Sequence, residues 1–205
     1  MDADAVEIRV LGALIEEQRT TPDVYPLSLN SLRLACNQST NRDPVVDYDE
    51  PTIREALQRL SRRGWVRLAS GASSRAIKYR QLLDDALGLV PSELAVLGVL
   101  MLRGPQTLGE LKSRSERLHR FGSLDDVATT LARLSDRELV ARLPRRPGQK
   151  EERYAQLLGG EPEPSERRPP ETAATPDGPS RFDQLETRVS RLEEQLASLA
   201  ARLPH

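Results

Sequence analysis

Thiols, imidazoles and aromatic rings are scarce in this 205-residue sequence, which has one cysteine, two histidines and 3% aromatic residues. A single thiol, Cys36, makes no internal disulfide, and no cluster of thiols and imidazoles has the spacing to hold zinc. No stretch approaches the ~18 consecutive apolar residues of a membrane-crossing helix. The start, Met1-Asp2-Ala3-Asp4, is acidic and lacks the apolar region of a secretory leader. A reducing, cytoplasmic setting without membrane contact is the expectation. Catalytic chemistry is equally thin. His119 lies in Leu118-His119-Arg120-Phe121, His205 is the final residue, and neither has a serine, cysteine or carboxylate in a recognisable motif. No phosphate-loop glycine pattern occurs. The sequence offers no catalytic residue, no metal ligand set and no cofactor site, and it reads as a non-enzyme.

What is present is charge, unevenly spread. Charged residues make up 30% of the chain against 38% apolar ones, and mean hydropathy is −0.53, so part of the chain is expected to stay outside a packed core. The net charge of −1 conceals a basic segment, residues 103–158, with twelve basic and eight acidic groups, and an acidic one, residues 159–205, with six and nine. From Ala56 to Leu83 there are seven basic residues (Arg59, Arg62, Arg63, Arg67, Arg75, Lys78 and Arg80) and no acidic one.

The chain also repeats itself. Val10-Leu11-Gly12-Ala13-Leu14 recurs as Val96-Leu97-Gly98-Val99-Leu100, and Leu57-Gln58-Arg59-Leu60-Ser61 as Leu131-Ala132-Arg133-Leu134-Ser135. Lys78-Tyr79-Arg80-Gln81-Leu82-Leu83 returns as Arg153-Tyr154-Ala155-Gln156-Leu157-Leu158. Three matches in the same order describe two copies of one module of about 70 to 80 residues, beyond the period of a solenoid. The first copy carries extra residues between its first and third elements.

Each copy reads as three helices and a hairpin. In the first, apolar spacing predicts a helix over Asp4–Glu17, a short one after Ser28 with Leu29, Leu32 and Cys36 inward, and a third beginning at Asp49 as N-cap with Pro51 in its first turn. Gly64 ends that helix, and Trp65–Ala69 and Ala76–Arg80 read as two strands. In the second, helices are expected at Ser92–Arg103, Thr107–Ser115 and Ser123–Asp136, with strands at Leu139–Leu143 and Glu152–Gln156. This is the winged-helix order. The expected fold is mainly α with small β-hairpins (α+β), as tandem winged-helix domains over residues 1–86 and 87–158.

Residues 159–180, rich in Gly, Pro and Glu, lack apolar periodicity and read as a disordered linker. Over 181–205, Phe182, Val189, Leu196 and Leu203 fall seven apart, with Leu185, Leu192 and Leu199 between them. That is an a/d seam, the pattern of a coiled coil that dimerises the chain, and a helix of this length is marginal without a partner. The alternative is that the same amphipathic helix folds back on the tandem domains.

The segment Thr20-Thr21-Pro22-Asp23-Val24-Tyr25-Pro26-Leu27-Ser28-Leu29-Asn30, continuing through Ala35-Cys36-Asn37-Gln38-Ser39-Thr40-Asn41-Arg42-Asp43-Pro44-Val45, resembles the bacterial YceH-like family. Leu102-Arg103-Gly104-Pro105-Gln106-Thr107-Leu108-Gly109-Glu110-Leu111 resembles that family's second-domain motif. The resemblance extends over nearly the whole chain and implies tandem winged-helix domains. It implies no activity.

Function is therefore read from surface chemistry. A winged helix meets a phosphate backbone with the end of its third helix and its hairpin, which points to Arg54, Gln58, Arg59, Arg62 and Arg75 in the first copy and to Arg133, Arg145, Arg146 and Lys150 in the second. The expected ligand is double-stranded DNA, bound largely without sequence preference by a transcriptional or chromosome-associated protein. Against this stand Asp49, Glu50 and Glu55, and Asp125 and Asp126, at the helix starts that ordinarily face base edges. The loop residues Asn37, Gln38, Thr40, Asn41 and Arg42 have the chemistry to hold a phosphate or a partner's backbone, and equally that of caps and turns. The rival reading is a protein-interaction scaffold built on the same domains and coiled coil.

Overall fold

The computed structural model describes residues 3–69, 77–145 and 151–160. The expected linker beyond residue 160, the heptad segment, and Arg75, Arg146 and Lys150 lie outside them. Among the described residues the chain forms seven helices and five short antiparallel strands.

Local sequence accounts for most of the helix starts. α1 (Ala5–Thr20) begins at Asp4, whose Oδ1 accepts from the Glu7 N–H (2.8 Å) while Glu7 Oε2 accepts from the Asp4 N–H (2.9 Å), a capping box. The helix runs almost a turn beyond its predicted end and stops short of Pro22. Two-residue β1 (Leu27–Ser28) follows, then α2 (Leu29–Cys36), capped by Ser28 Oγ. α3 (Glu50–Arg62) starts at Asp49 with Pro51 in the first turn, where its missing N–H costs nothing. β2 (Val66–Ala69) and β3 (Lys78–Gln81) form the first hairpin. α4 (Leu83–Leu87), ended by Gly88 in the left-handed region (φ 59°), links to α5 (Pro91–Arg103). α6 (Leu108–Ser115) and α7 (Leu124–Asp136) begin with capping boxes at Thr107 and Ser123, and β4 (Val140–Leu143) and β5 (Arg153–Gln156) close the second hairpin.

The repeat extends to strand register. β1 pairs with β3 through Leu27 and Tyr79, and β3 with β2, giving the order β1-β3-β2. In the second copy Gln106 forms the matching bridge to Tyr154, its N–H donating at 3.0 Å and its carbonyl accepting at 2.8 Å. Leu68 lies opposite Tyr79, and Arg142 opposite Tyr154.

The two copies share one core. α1 and α5 pack against each other and are buried nearly all round, from Glu7 to Ile15 and from Glu93 to Leu102. The contact is reciprocal. A Cβ on Gly12 would lie 2.9 Å from Leu102 Cδ2, and one on Gly98, its counterpart in the repeat, 2.9 Å from Ile15 Cγ2. Each glycine lets the other copy's helix approach more closely than any side chain would permit. Leu11, Leu14, Ile15, Leu97 and Leu100 are fully buried in this seam, each worth about 1.5–3 kcal/mol of transfer free energy. Where the second copy ends, the Leu158 carbonyl accepts from the Ala3 N–H at 2.8 Å, beside the start of α1. Among the described residues no helix is long and apolar enough to cross a membrane.

Candidate nucleic-acid interface

Three of the predicted residues, Arg54, Gln58 and Arg62, stand four apart on α3 and are all exposed, so they form one stripe. Arg54 Nη2 lies 3.8 Å from Glu50, a loose pair between two half-exposed side chains. Arg62 Nε donates back to the Gln58 carbonyl at 3.4 Å. The start of the helix is anionic. Asp49 Oδ1 accepts from the Thr52 N–H (2.9 Å), and these hydrogen bonds hold its carboxyl below the usual carboxylate range. Capping therefore accounts for Asp49 and, with Ser123, for Asp126 among the acidic residues at the helix starts that oppose phosphate. The cationic surface lies from the middle of α3 to its end.

Arg59 is turned inward. Its Nη2 pairs with Asp4 at 2.5 Å and its Nε lies 3.6 Å from Glu7, which is 2% exposed. Arg63 Nε approaches the same carboxylate at 3.4 Å, and its guanidinium sits 5.5 Å from the Trp65 ring centroid. The second copy repeats the buried pair as Arg137 and Glu93, 3.5 Å apart. It does not repeat Asp4, whose place is taken by Val90. Arg133, the counterpart of Arg59, is exposed and forms no ion pair among the described residues.

The first hairpin adds Arg67, exposed, and Lys78 and Arg80, half-buried, none of them ion-paired among the described residues. On the second hairpin Arg142 and Arg145 lie 3.1 and 3.8 Å from Glu152. Arg153 binds Glu110 of α6 at 2.9 Å and the Pro105 carbonyl at 2.9 Å, so it fastens the hairpin to the helix. The described cations are thus less neutralised on the first hairpin than on the second.

In the loop after α2 the polar groups are used within the fold. Asn37 Nδ2 donates to the Tyr48 carbonyl (2.8 Å) and its Oδ1 accepts from the Tyr48 N–H (2.9 Å). Arg42, with no exposed side-chain surface, donates to the Ala35 and Asn41 carbonyls and pairs with Glu16 at 2.5 Å. Asn41 accepts from Arg103, and the Asp43 N–H donates to the Leu102 carbonyl at 2.8 Å, both in the other copy. Gln38 is half-exposed and Thr40 exposed. The cap-and-turn alternative accounts for Asn37, Asn41 and Arg42, and the loop joins the copies. Beneath it Arg9 donates to the carbonyls of Cys36 and Pro44, at 3.0 and 2.6 Å. Burial pushes the Cys36 thiol up to about 12, which outweighs the opposing pull of Arg9 and Arg42. Among the described residues no three His, Cys, Asp or Glu side chains gather as a metal site.

Sequence reasoning missed one feature here. Leu68 and Ile77, on and beside the first hairpin's strands, are 58% and 61% exposed. Apolar residues in strand patterns are ordinarily core, and only the pairing register reveals where the core ends.

Residues 3–149 match the family described as "Protein of unknown function, DUF480". A UPF0502 protein of Citrifermentans bemidjiense is 52% identical over 80% of this chain and 76% of its own length. One from Geotalea uraniireducens is 46% identical over 98% and 91%, and one from Solibacter usitatus is 48% identical over 96% and 92%. The chain belongs to the DUF480 (UPF0502) family of bacterial proteins.

Proposed function

We propose that the chain is a non-enzymatic, cytoplasmic DNA-binding protein made of two tandem winged-helix domains, as its resemblance to the YceH-like family implies. In this reading residues 1–86 and 87–158 are the domains, 159–180 is a linker, and the heptads of 181–205 dimerise the chain. The observation that carries it is the acid-free run Ala56–Leu83, which supplies exposed Arg62 and Arg67 beside half-buried Lys78 and Arg80 on the end of α3 and its hairpin. Arg54, Gln58 and Arg62 extend this surface along α3, and Arg75, Arg133, Arg145, Arg146 and Lys150 are the other proposed phosphate contacts. The proposed role is transcriptional or chromosome-associated, with contacts that are mostly to backbone phosphate and so largely independent of sequence.

Titrating a fluorescent random-sequence duplex at several salt concentrations tests this. Binding should weaken log-linearly with salt, and Arg62→Ala with Arg67→Ala should lower the slope by about 0.9 for each phosphate contact removed. Absence of binding at low salt overturns the reading. The scaffold reading is favoured by a different observation, the exposed Leu68 and Ile77.

A further inference from the structure

The first hairpin has two unlike faces. Strand alternation puts Val66 and Leu68 with Gln81 and Tyr79 on one side, and Arg67 and Ala69 with Arg80 and Lys78 on the other. The first side is core at its base, where Val66 and Gln81 are buried. It then runs outward as Leu68, half-buried Tyr79 and Ile77, which the alternation assigns to the same side one step before β3.

The second copy is an internal control. Arg142 is the third residue of β4, as Leu68 is of β2, and Glu152 directly precedes β5, as Ile77 precedes β3. Those two positions hold an ion pair, Arg142–Glu152, at 3.1 Å. The same scaffold in the same register therefore does without apolar side chains there, and the fold does not require Leu68 and Ile77. The cationic side is duplicated only at Lys78, where the second copy has Arg153 paired with Glu110 at 2.9 Å; Ala141 and Ala155 stand where the first copy has Arg67 and Arg80.

β2 is also an edge strand, paired with β3 on one side and with no strand on the other among the described residues. An exposed edge takes an additional strand, with main-chain hydrogen bonds supplying affinity and alternate side chains supplying specificity. The occupant follows from charge. A second copy of β2 in symmetric pairing would set Arg67 and its neighbours against the same cations, and the run from Ala56 to Leu83 offers no carboxylate in compensation. A DNA duplex brings phosphates but no extended backbone to continue the sheet.

We infer that the β2 edge is a docking site for an extended segment of another protein in which apolar and acidic residues alternate, the apolar ones lying beside Leu68 on the side that Tyr79 and Ile77 continue one strand further in, and the acidic ones beside Arg67 on the side where β3 adds Arg80 and Lys78. The inference does not rest on DNA binding. Where both hold, segment and duplex compete for Arg67.

The test is a labelled synthetic peptide of alternating valine and glutamate, titrated by fluorescence anisotropy into the full chain without DNA. A control peptide of the same composition has its valines and glutamates in separate blocks. The alternating peptide is expected to bind at least tenfold more tightly than the blocked one. Leu68→Arg with Ile77→Glu, which copies the pair the second hairpin already accommodates, should remove that binding while the circular dichroism spectrum and Tm stay at parental values. Arg67→Glu, leaving the apolar side intact, should weaken it at least tenfold. Equal binding of the two peptides would show attraction by charge alone and overturn the inference. So would peptide binding that survives the paired substitution. A concentration-dependent dimer that the paired substitution dissociates assigns the edge to a second copy and overturns it as well. A chain that binds the alternating peptide but no duplex leaves the inference standing and removes the DNA reading.

Discussion

The carboxylate of Glu7 lies under the guanidinium of Arg63, 3.4 Å from its Nε, and thereby holds the start of α1 against the end of α3. Its other oxygen, Oε2, accepts from the Asp4 N–H and lies 3.6 Å from Arg59 Nε, so one buried group serves a cap and two cations. Replacing it leaves both arginines without their buried counter-charge. Glu7→Ala should cost about 2–3 kcal/mol, less than the roughly 3–5 kcal/mol of breaking a fully buried pair, because the arginines are about a third exposed. Urea unfolding monitored by circular dichroism measures it. A loss below about 0.5 kcal/mol would mean that water replaces the carboxylate freely.

The glycines of the repeated motif make a second, paired prediction. Gly12→Ala and Gly98→Ala each place a methyl group 2.9 Å from a packed side chain. Overpacking of this kind costs about 1–3 kcal/mol, only partly offset by the better helix propensity of alanine. A methyl group added at Gly109, in α6, would meet nothing within 4 Å, so Gly109→Ala should be neutral or stabilise by up to about 1 kcal/mol. Thermal melts of the three variants should separate the first two from the third. Equal melting temperatures would refute close approach at the α1–α5 seam.

Glu110 supplies the pH dependence. Burial alone would raise its carboxyl, but the Thr107 N–H, Arg153 and Arg114 together hold it below the ordinary range. A carboxyl depressed in the folded state stabilises above its unfolded value of about 4.3, and this contribution disappears as pH falls through the lower folded value. At pH 7 Glu110→Gln should destabilise by about 1 kcal/mol, from the weakened cap and lost ion pairs. The difference from the parent should begin to narrow below the unfolded value and go on narrowing as pH falls through the lower folded one. A difference that persists unchanged at pH 3 would assign the loss to packing.

Much of this architecture was legible in the residues because helices signal locally. Asp49 with Pro51, and the spacing of Ile53, Leu57 and Leu60, mark α3 without any knowledge of its neighbours. β1 gives no such signal. Two residues become a strand only because Tyr79 and Lys78, distant in sequence, present their backbone to them. The interface followed the same division. Arg54, Gln58 and Arg62 are exposed where helical spacing put them, whereas the inward turn of Arg59 depends on Asp4 arriving from the start of α1. Arg42 likewise read as available chemistry because nothing near it in sequence announces Glu16. Leu68 and Ile77 became meaningful only beside Arg142 and Glu152, once register showed which residues occupy the same place.

The reciprocal fit of Gly12 and Gly98 also sets an order of events during translation. Residues of the first copy leave the ribosome before α5 exists, so the α5 atoms that Gly12 and Ile15 meet in the finished fold are not yet there. Gly98, Met101 and Leu102, which fill that seam in the finished fold, are among the later residues to emerge. The α1–α5 seam of the first module can therefore close only after α5 of the second has been synthesised.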